Sequence, residues 1–137
     1  MSQGAGAGGQ PSGEVYDWYR RALTLLEGGN PEAAAALLTH ARSEEPASAS
    51  VLEALARATF DARRYEDAAA HFTELVSTNP DNDYAWFGLG LVRMRLGEHN
   101  AAVEHLAMAV TMRPGRDDYR QALRQARATV RAREQGE

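Results

Sequence analysis

Apolar and polar positions along this chain follow two periods at once. Over short stretches the framework residues lie three or four apart, as at Trp86, Leu89 and Arg93 and again at Leu106 and Ala109. That is the period of an α-helix. Over longer stretches the pattern returns every 34 residues: proline at Pro46, Pro80 and Pro114, small residues at Ala22, Ala56 and Gly90 and at Ala34, Ala68 and Ala102. Bulky apolar residues keep the same beat at Trp18, Leu52 and Trp86 and at Leu38, Phe72 and Leu106. Each 34-residue block therefore carries two helices, each with a small residue where the pair can cross closely. The pattern predicts helices over 14–28, 31–44, 47–62, 65–78, 81–96, 99–112 and 116–134, and no segment reads as a strand. Asn30 followed by Pro31 reads as a capping side chain with proline at the first helical position, and Gly28, Gly29 and Gly97 suit helix ends.

A repeat of this length and composition resembles the tetratricopeptide repeat, whose copies stack because none buries its apolar face alone. The third copy, Asp83 to Arg116, carries Trp86, Leu89, Gly90, Gly97, Ala102, Leu106, Ala109 and Pro114 at the family's spacing. The first, Val15 to Ser48, keeps Trp18, Ala22, Gly29, Ala34, Leu38, Ala41 and Pro46 but has Arg21 where the family prefers leucine. The second, Ala49 to Asn82, keeps Leu55, Ala56, Tyr65, Ala68, Phe72 and Pro80, with Leu52 for tryptophan, Arg63 for glycine and Leu75 for a small residue. The resemblance implies an all-α protein, an α-solenoid of three helix-turn-helix repeats closed by a C-terminal solvating helix. Its expected organisation is a flexible Gly-rich tail over 1–13 and a repeat domain over 14–134, with repeats 15–48, 49–82 and 83–116 and a capping helix over 116–134.

Composition narrows the chemistry. At 137 residues the chain is one domain by length. All fifteen basic residues are arginine and isoleucine is absent, which points to a genome rich in G and C, actinobacterial among the candidates. Without cysteine there is no disulfide framework, thiolate metal site or thiol nucleophile. No apolar run approaches the roughly 20 residues of a membrane span. Residues 1–13 have neither a charged nor an apolar region and do not read as a secretory signal, so a cytoplasmic protein is the default.

Candidate catalytic groups do not converge. His71 and His105 are one repeat apart, which places them on neighbouring copies pointing the same way, so His40, His71, His99 and His105 read as surface or packing residues. The adjacent carboxylates Glu44-Glu45 and Asp117-Asp118 point about 100° apart on a helix and make no shared acid–base pair. Gly4, Gly6, Gly8 and Gly9 follow no strand and precede no Lys-Ser, so no phosphate loop forms. No enzyme, metal or cofactor is expected.

The last predicted helix carries Arg116, Arg120, Arg124, Arg127 and Arg131 within an arc of about 80°, beside an apolar stripe of Tyr119, Leu123, Ala126 and Val130. The apolar stripe suits a cap on the third repeat. Residues 113–137 hold seven arginines against four acids, a balance of +3, while residues 1–112 hold eight against fifteen, −7, consistent with the net charge of −4. The arginine face is a solvated surface, or meets an acidic partner or another copy of this chain, so a homo-oligomer stays open. Nucleic acid is disfavoured by the acidic chain and by the absence of aromatics among the arginines.

The resemblance also implies a binding surface, because in such folds the first helix of each repeat lines an inner groove. The matching candidates are Tyr16, Tyr19, Leu23, Leu26 and Glu27, then Ser50, Glu53, Arg57, Phe60 and Asp61, then Tyr84, Phe87, Leu91, Met94 and Arg95. The implied function is an adaptor that holds an apolar peptide or amphipathic helix of a protein partner, with Tyr19 and Phe87 as anchors and Glu53 and Arg57 setting polarity. Relatives that grip the C-terminal carboxylate of heat-shock chaperones use lysine, asparagine and arginine where this chain has Tyr19, Leu23, Ala54, Tyr84 and Gly88. A carboxylate clamp is therefore not expected.

Overall fold

The computed structural model describes residues 13–136. These form seven helices: α1 (Gly13–Glu27), α2 (Pro31–Glu44), α3 (Ala49–Asp61), α4 (Tyr65–Thr78), α5 (Asp83–Arg95), α6 (His99–Met112) and α7 (Asp117–Gly136). No strand occurs among the described residues. Most of the predicted Gly-rich tail lies outside them, and Gly13 opens α1. The chain divides into two compact units, Met1–His71 and Phe72–Glu137, with the boundary inside α4.

The 34-residue beat is visible in the backbone. Each of α1, α3 and α5 ends in the same pair of crossed hydrogen bonds: Gly29 N–H to Leu26 O and Asn30 N–H to Leu25 O, then Arg63 to Phe60 and Arg64 to Thr59, then Gly97 to Met94 and Glu98 to Arg93. This closure needs a left-handed residue at its centre. Gly29 and Gly97 supply it at φ of 82° and 81°, and Arg63 adopts φ 64° in the equivalent place. Second-helix ends repeat in turn, with the N–H groups of Glu45, Asn79 and Arg113 donating to the carbonyls of Ala41, Leu75 and Ala109.

Three local expectations are corrected. α3 and α5 begin two residues later than predicted, because Ser48 and Asn82 stay outside the helix and cap it: their side-chain oxygens accept from Val51 N–H at 3.2 Å and Ala85 N–H at 3.0 Å. Asn30 makes no such side-chain bond. Its N–H is committed to Leu25 O, and Pro31 at the next position already removes one orphan donor. The last helix starts at Asp117 and runs to Gly136, two residues past the predicted end.

In the N-terminal unit, α1, α2 and α3 close over Val15, Leu26, Leu38, Val51 and Leu55. The small crossing residues Ala22, Ala34, Ala56 and Ala68 are fully buried. Arg21 is exposed whereas its counterparts Leu55 and Leu89 are buried, so the departure from the family pattern sits on a surface face of α1. In the C-terminal unit α5 and α6 cross at Gly90, where a Cβ would stand 2.5 Å from Leu106 Cγ, so even a methyl group overlaps the partner helix. Helix α7 then covers α5 and α6 with its buried stripe of Tyr119, Leu123 and Ala126.

Candidate interaction surface

The candidate groove residues are spaced three or four apart on α1, α3 and α5, and each set shares one face of its helix. Among the core candidates Tyr16, Tyr19, Leu23, Glu53, Arg57, Phe60, Tyr84, Phe87, Leu91, Met94 and Arg95, none is buried.

On α1, Tyr16 is 38% exposed and its ring lies 6.5 Å from that of Tyr19, tilted by 40°. Tyr19 and Leu23 lean on the core of their unit, so Tyr16 projects furthest. On α3, Arg57 pairs with Asp61 one turn on, Nε to Oδ2 at 3.7 Å with both groups exposed, which leaves a near-neutral polar stretch rather than a free cation. Phe60 meets Tyr65 edge to face at 5.4 Å, and Glu53 is half-buried.

In the C-terminal unit the α5 face has a floor that the sequence reading placed elsewhere. Phe72, read only as a packing position of α4, inserts its ring beside Gly88, where a Cβ would come within 2.3 Å of Phe72 Cε1. Tyr84 stands over the same ring, edge on, at 6.1 Å. The glycine is the signal that marks this close approach, since a bare backbone on a buried helix face leaves room for a large neighbour. Phe87 stacks on Tyr119 of α7, centroids 4.5 Å apart, and with Met94 packs against the cluster of Leu106, Leu123 and Ala126. These two thus give part of their surface to the cap, whereas Leu91 and Tyr84 remain half-exposed and Arg95 exposed.

The cap is locked through Tyr119. Its hydroxyl donates to Asp83 Oδ2 at 2.7 Å, Arg113 approaches Asp83 Oδ1 at 3.6 Å, and the Arg116 guanidinium lies 4.4 Å over the Tyr119 ring. Burial, reinforced by the Asp83 hydrogen bond, pushes the Tyr119 phenol well above its ordinary pKa. Of the arginine face, Arg116 donates two hydrogen bonds to Asp118 at 3.0 and 2.8 Å, which hold that carboxyl below its usual range. Arg120 binds Asp117 and the Pro114 carbonyl. Arg124, Arg127 and Arg131 are exposed and make no ion pair among the described residues.

Two of the histidines lie against tryptophan rings. His40 lies 4.4 Å from the Trp18 ring and His105 5.7 Å from Trp86. Burial, with Arg93 nearby, lowers the His105 pKa. Among the described residues no three histidines, aspartates or glutamates gather as metal ligands would. Two pockets lie away from the candidate groove residues. One, of about 500 Å³, is lined by Thr39, Arg42, Pro46, Leu55, Arg64 and His71 among others, and one of about 300 Å³ by Gly97, His99, Asn100, Val130, Arg133 and Glu134. No described helix is long and apolar enough to cross a membrane.

Comparison with known proteins follows the same outline. The family model of the tetratricopeptide repeat matches residues 19–72 and 53–117. No curated protein matches the chain significantly. Among solved structures, the Sgt2 tetratricopeptide domain from Aspergillus fumigatus superposes with a TM-score of 0.84 at 20% identity, covering 92% of this chain and 85% of that one. The first such domain of human RPAP3 gives a TM-score of 0.82 at 15% identity, covering 90% and 97%. The first such domain of Spaghetti (RPAP3), bound to the HSP90 peptide SRMEEVD, gives 0.82 at 16% identity, covering 88% and 96%.

Proposed function

The chain belongs to the tetratricopeptide repeat family, and we propose that it is a non-catalytic adaptor that binds an apolar peptide or amphipathic helix of a protein partner on the faces of its first helices. The observation that carries this reading is the exposure of Tyr16 on α1 and the partial exposure of Tyr84 and Leu91 on α5, on helices whose other faces are buried. An aromatic side chain offers roughly 150–250 Å² to a partner, and such anchors dominate small interfaces. The solved Spaghetti domain holds a seven-residue peptide, so this fold accommodates a ligand of that size.

That peptide ends in Glu-Glu-Val-Asp, an acidic terminus. The positions that would receive a terminal carboxylate are Tyr19, Leu23, Ala54, Tyr84 and Gly88, none of them cationic. At Gly88 the Phe72 ring occupies the space that an arginine side chain would cross. An apolar ligand therefore fits these faces better than an acidic terminus. A short ligand on this array implies an interface below about 1,200 Å² and an affinity near micromolar, about −8 kcal/mol.

The test begins with peptides selected by display against the full chain and titrated by calorimetry. Tyr16→Ala and Leu91→Ala should each weaken binding at least about tenfold while the helical circular dichroism is unchanged. If both variants stay folded and bind as the unaltered chain does, the first-helix faces are not the binding surface.

A further inference from the structure

Helix α7 continues the 34-residue register of the repeats, and its arginines fall on particular positions of it. Arg120, Arg124 and Arg127 correspond to Trp86, Gly90 and Arg93 of α5 one repeat earlier, and Arg131 to Gly97 in the turn that closes α5. In the third repeat the first two of those positions face the repeat's own second helix, Trp86 lying 5.7 Å from His105 and Gly90 abutting Leu106, while Arg93 pairs at 2.8 Å with Glu98 just ahead of α6. In the first repeat Trp18 meets His40 of α2 in the same way. The α7 counterparts of the residues that α5 buries elsewhere, Tyr119 for Ala85 and Leu123 for Leu89, are themselves buried. Helix α7 is thus packed as the first helix of a further repeat, and among the described residues its face for a second helix is exposed.

That exposed face has a defined charge. Arg116 and Arg120 are held by Asp118 and Asp117, whereas Arg124, Arg127 and Arg131 are exposed without an ion pair among the described residues. Cations spaced three and four apart on a helix repel one another, and a carboxylate placed between them relieves the repulsion. We propose that the arginine face of α7 is a docking surface for an acidic helix of a partner protein, laid where a second helix lies in the preceding repeats. Arg124 stands at the small-residue position, so the visiting helix does not cross at the close range that Gly90 permits α6. Contact is made instead by guanidinium forks reaching carboxylates at matching three- and four-residue spacing, the geometry in which arginine outperforms lysine.

Other anionic partners fit less well. The face has no aromatic side chain on which a base could stack, because Tyr119, the aromatic residue of α7, is fully buried. Its exposed flanks are Gln121, Gln125 and Ala128, which offer nothing bulky to insert into a lipid surface. This surface is separate from the first-helix faces of the proposed adaptor function and stands or falls independently of it.

The probe is a synthetic helical peptide with glutamates spaced three and four apart, alongside its glutamine counterpart, titrated against the full chain by fluorescence anisotropy. The glutamate peptide should bind at about 50 mM salt and at least about tenfold more weakly at about 300 mM, as screening of surface charges requires. The glutamine peptide and the variant Arg124→Gln/Arg127→Gln/Arg131→Gln should each lose binding at least about tenfold, whereas Arg21→Gln, on the exposed face of α1, should change nothing. Charge reversal, Arg124→Glu/Arg127→Glu/Arg131→Glu, should transfer binding from the glutamate peptide to a lysine counterpart. Absence of binding at low salt, or binding indifferent to both triple variants, overturns the proposal. So does tighter binding of duplex DNA or of phosphatidylserine vesicles that the triple variant abolishes. Concentration-dependent self-association abolished by that variant likewise overturns it, in favour of a second copy as occupant.

Discussion

At Arg63 an ordinary side chain sits in a backbone conformation that the other two repeats give to glycine. Its φ of 64° matches the turns at Gly29 and Gly97, and the crossed hydrogen bonds around it form all the same. For a residue with a Cβ the left-handed region costs about 1–2 kcal/mol. Glycine relieves that strain but adds about 0.5–1 kcal/mol of backbone entropy to be lost on folding. Since the exposed Arg63 side chain makes no ion pair among the described residues, Arg63→Gly should stabilise the protein by about 0.5–1 kcal/mol, read as a higher urea midpoint at unchanged slope. Tyr119 offers the opposite case, a side chain tied into the fold by one hydroxyl. Tyr119→Phe removes the bond to Asp83 and should cost about 1–2 kcal/mol, since Arg113 still attends that carboxylate. The sign with pH follows from the raised phenol pKa. Below about pH 10 the phenol is neutral in both states and its contribution is complete; above it the unfolded chain ionises first, and stability falls as pH rises. Alkaline denaturation should therefore be shallower in Tyr119→Phe.

At the level of elements, α7 is what the arginine and apolar stripes led one to expect on its inner side. Tyr119, Leu123 and Ala126 are buried and cover Leu106 and parts of Phe87 and Met94. Burying the two large side chains alone is worth roughly 3–6 kcal/mol, a large share of the roughly 5–15 kcal/mol that holds a domain folded. Deleting 117–136 should lower the melting temperature sharply and cause aggregation, checked by calorimetry and light scattering. A truncated chain of equal stability would show that α7 is not a cap. Helix identities were legible from the three- and four-residue spacing, but the starts of α3 and α5 were not. The predicted starts at 47 and 81 come two residues too early, because the side-chain oxygens of Ser48 and Asn82 satisfy an orphan N–H and so open each helix after themselves.

At the level of the whole molecule, the fold was legible because every repeat meets the same packing problem and the chain answers it with the same residue sizes at Ala22, Ala56 and Gly90. The candidate surface was legible only as a set of helical faces. Which aromatic ring is covered depends on contacts far apart in sequence: Phe72 reaches Gly88 and Phe87 reaches Tyr119, and neither pairing leaves a periodic trace. Phe87 in consequence serves the cap as well as the face where the sequence placed an anchor, and Tyr16, Tyr84 and Leu91 are the better sites to probe. Peptide binding by the first helices is the core of the proposed function. Backbone amide resonances of the labelled chain, followed during titration with a display-selected peptide, test it directly. The largest shifts should fall on first-helix faces, around Tyr16 and Tyr19 on α1 and Glu53 and Arg57 on α3 in the N-terminal unit, or around Tyr84 and Leu91 on α5 in the C-terminal unit. Shifts confined to α2, α4 and α6, or to the arginine face of α7, with α1, α3 and α5 undisturbed, would contradict it.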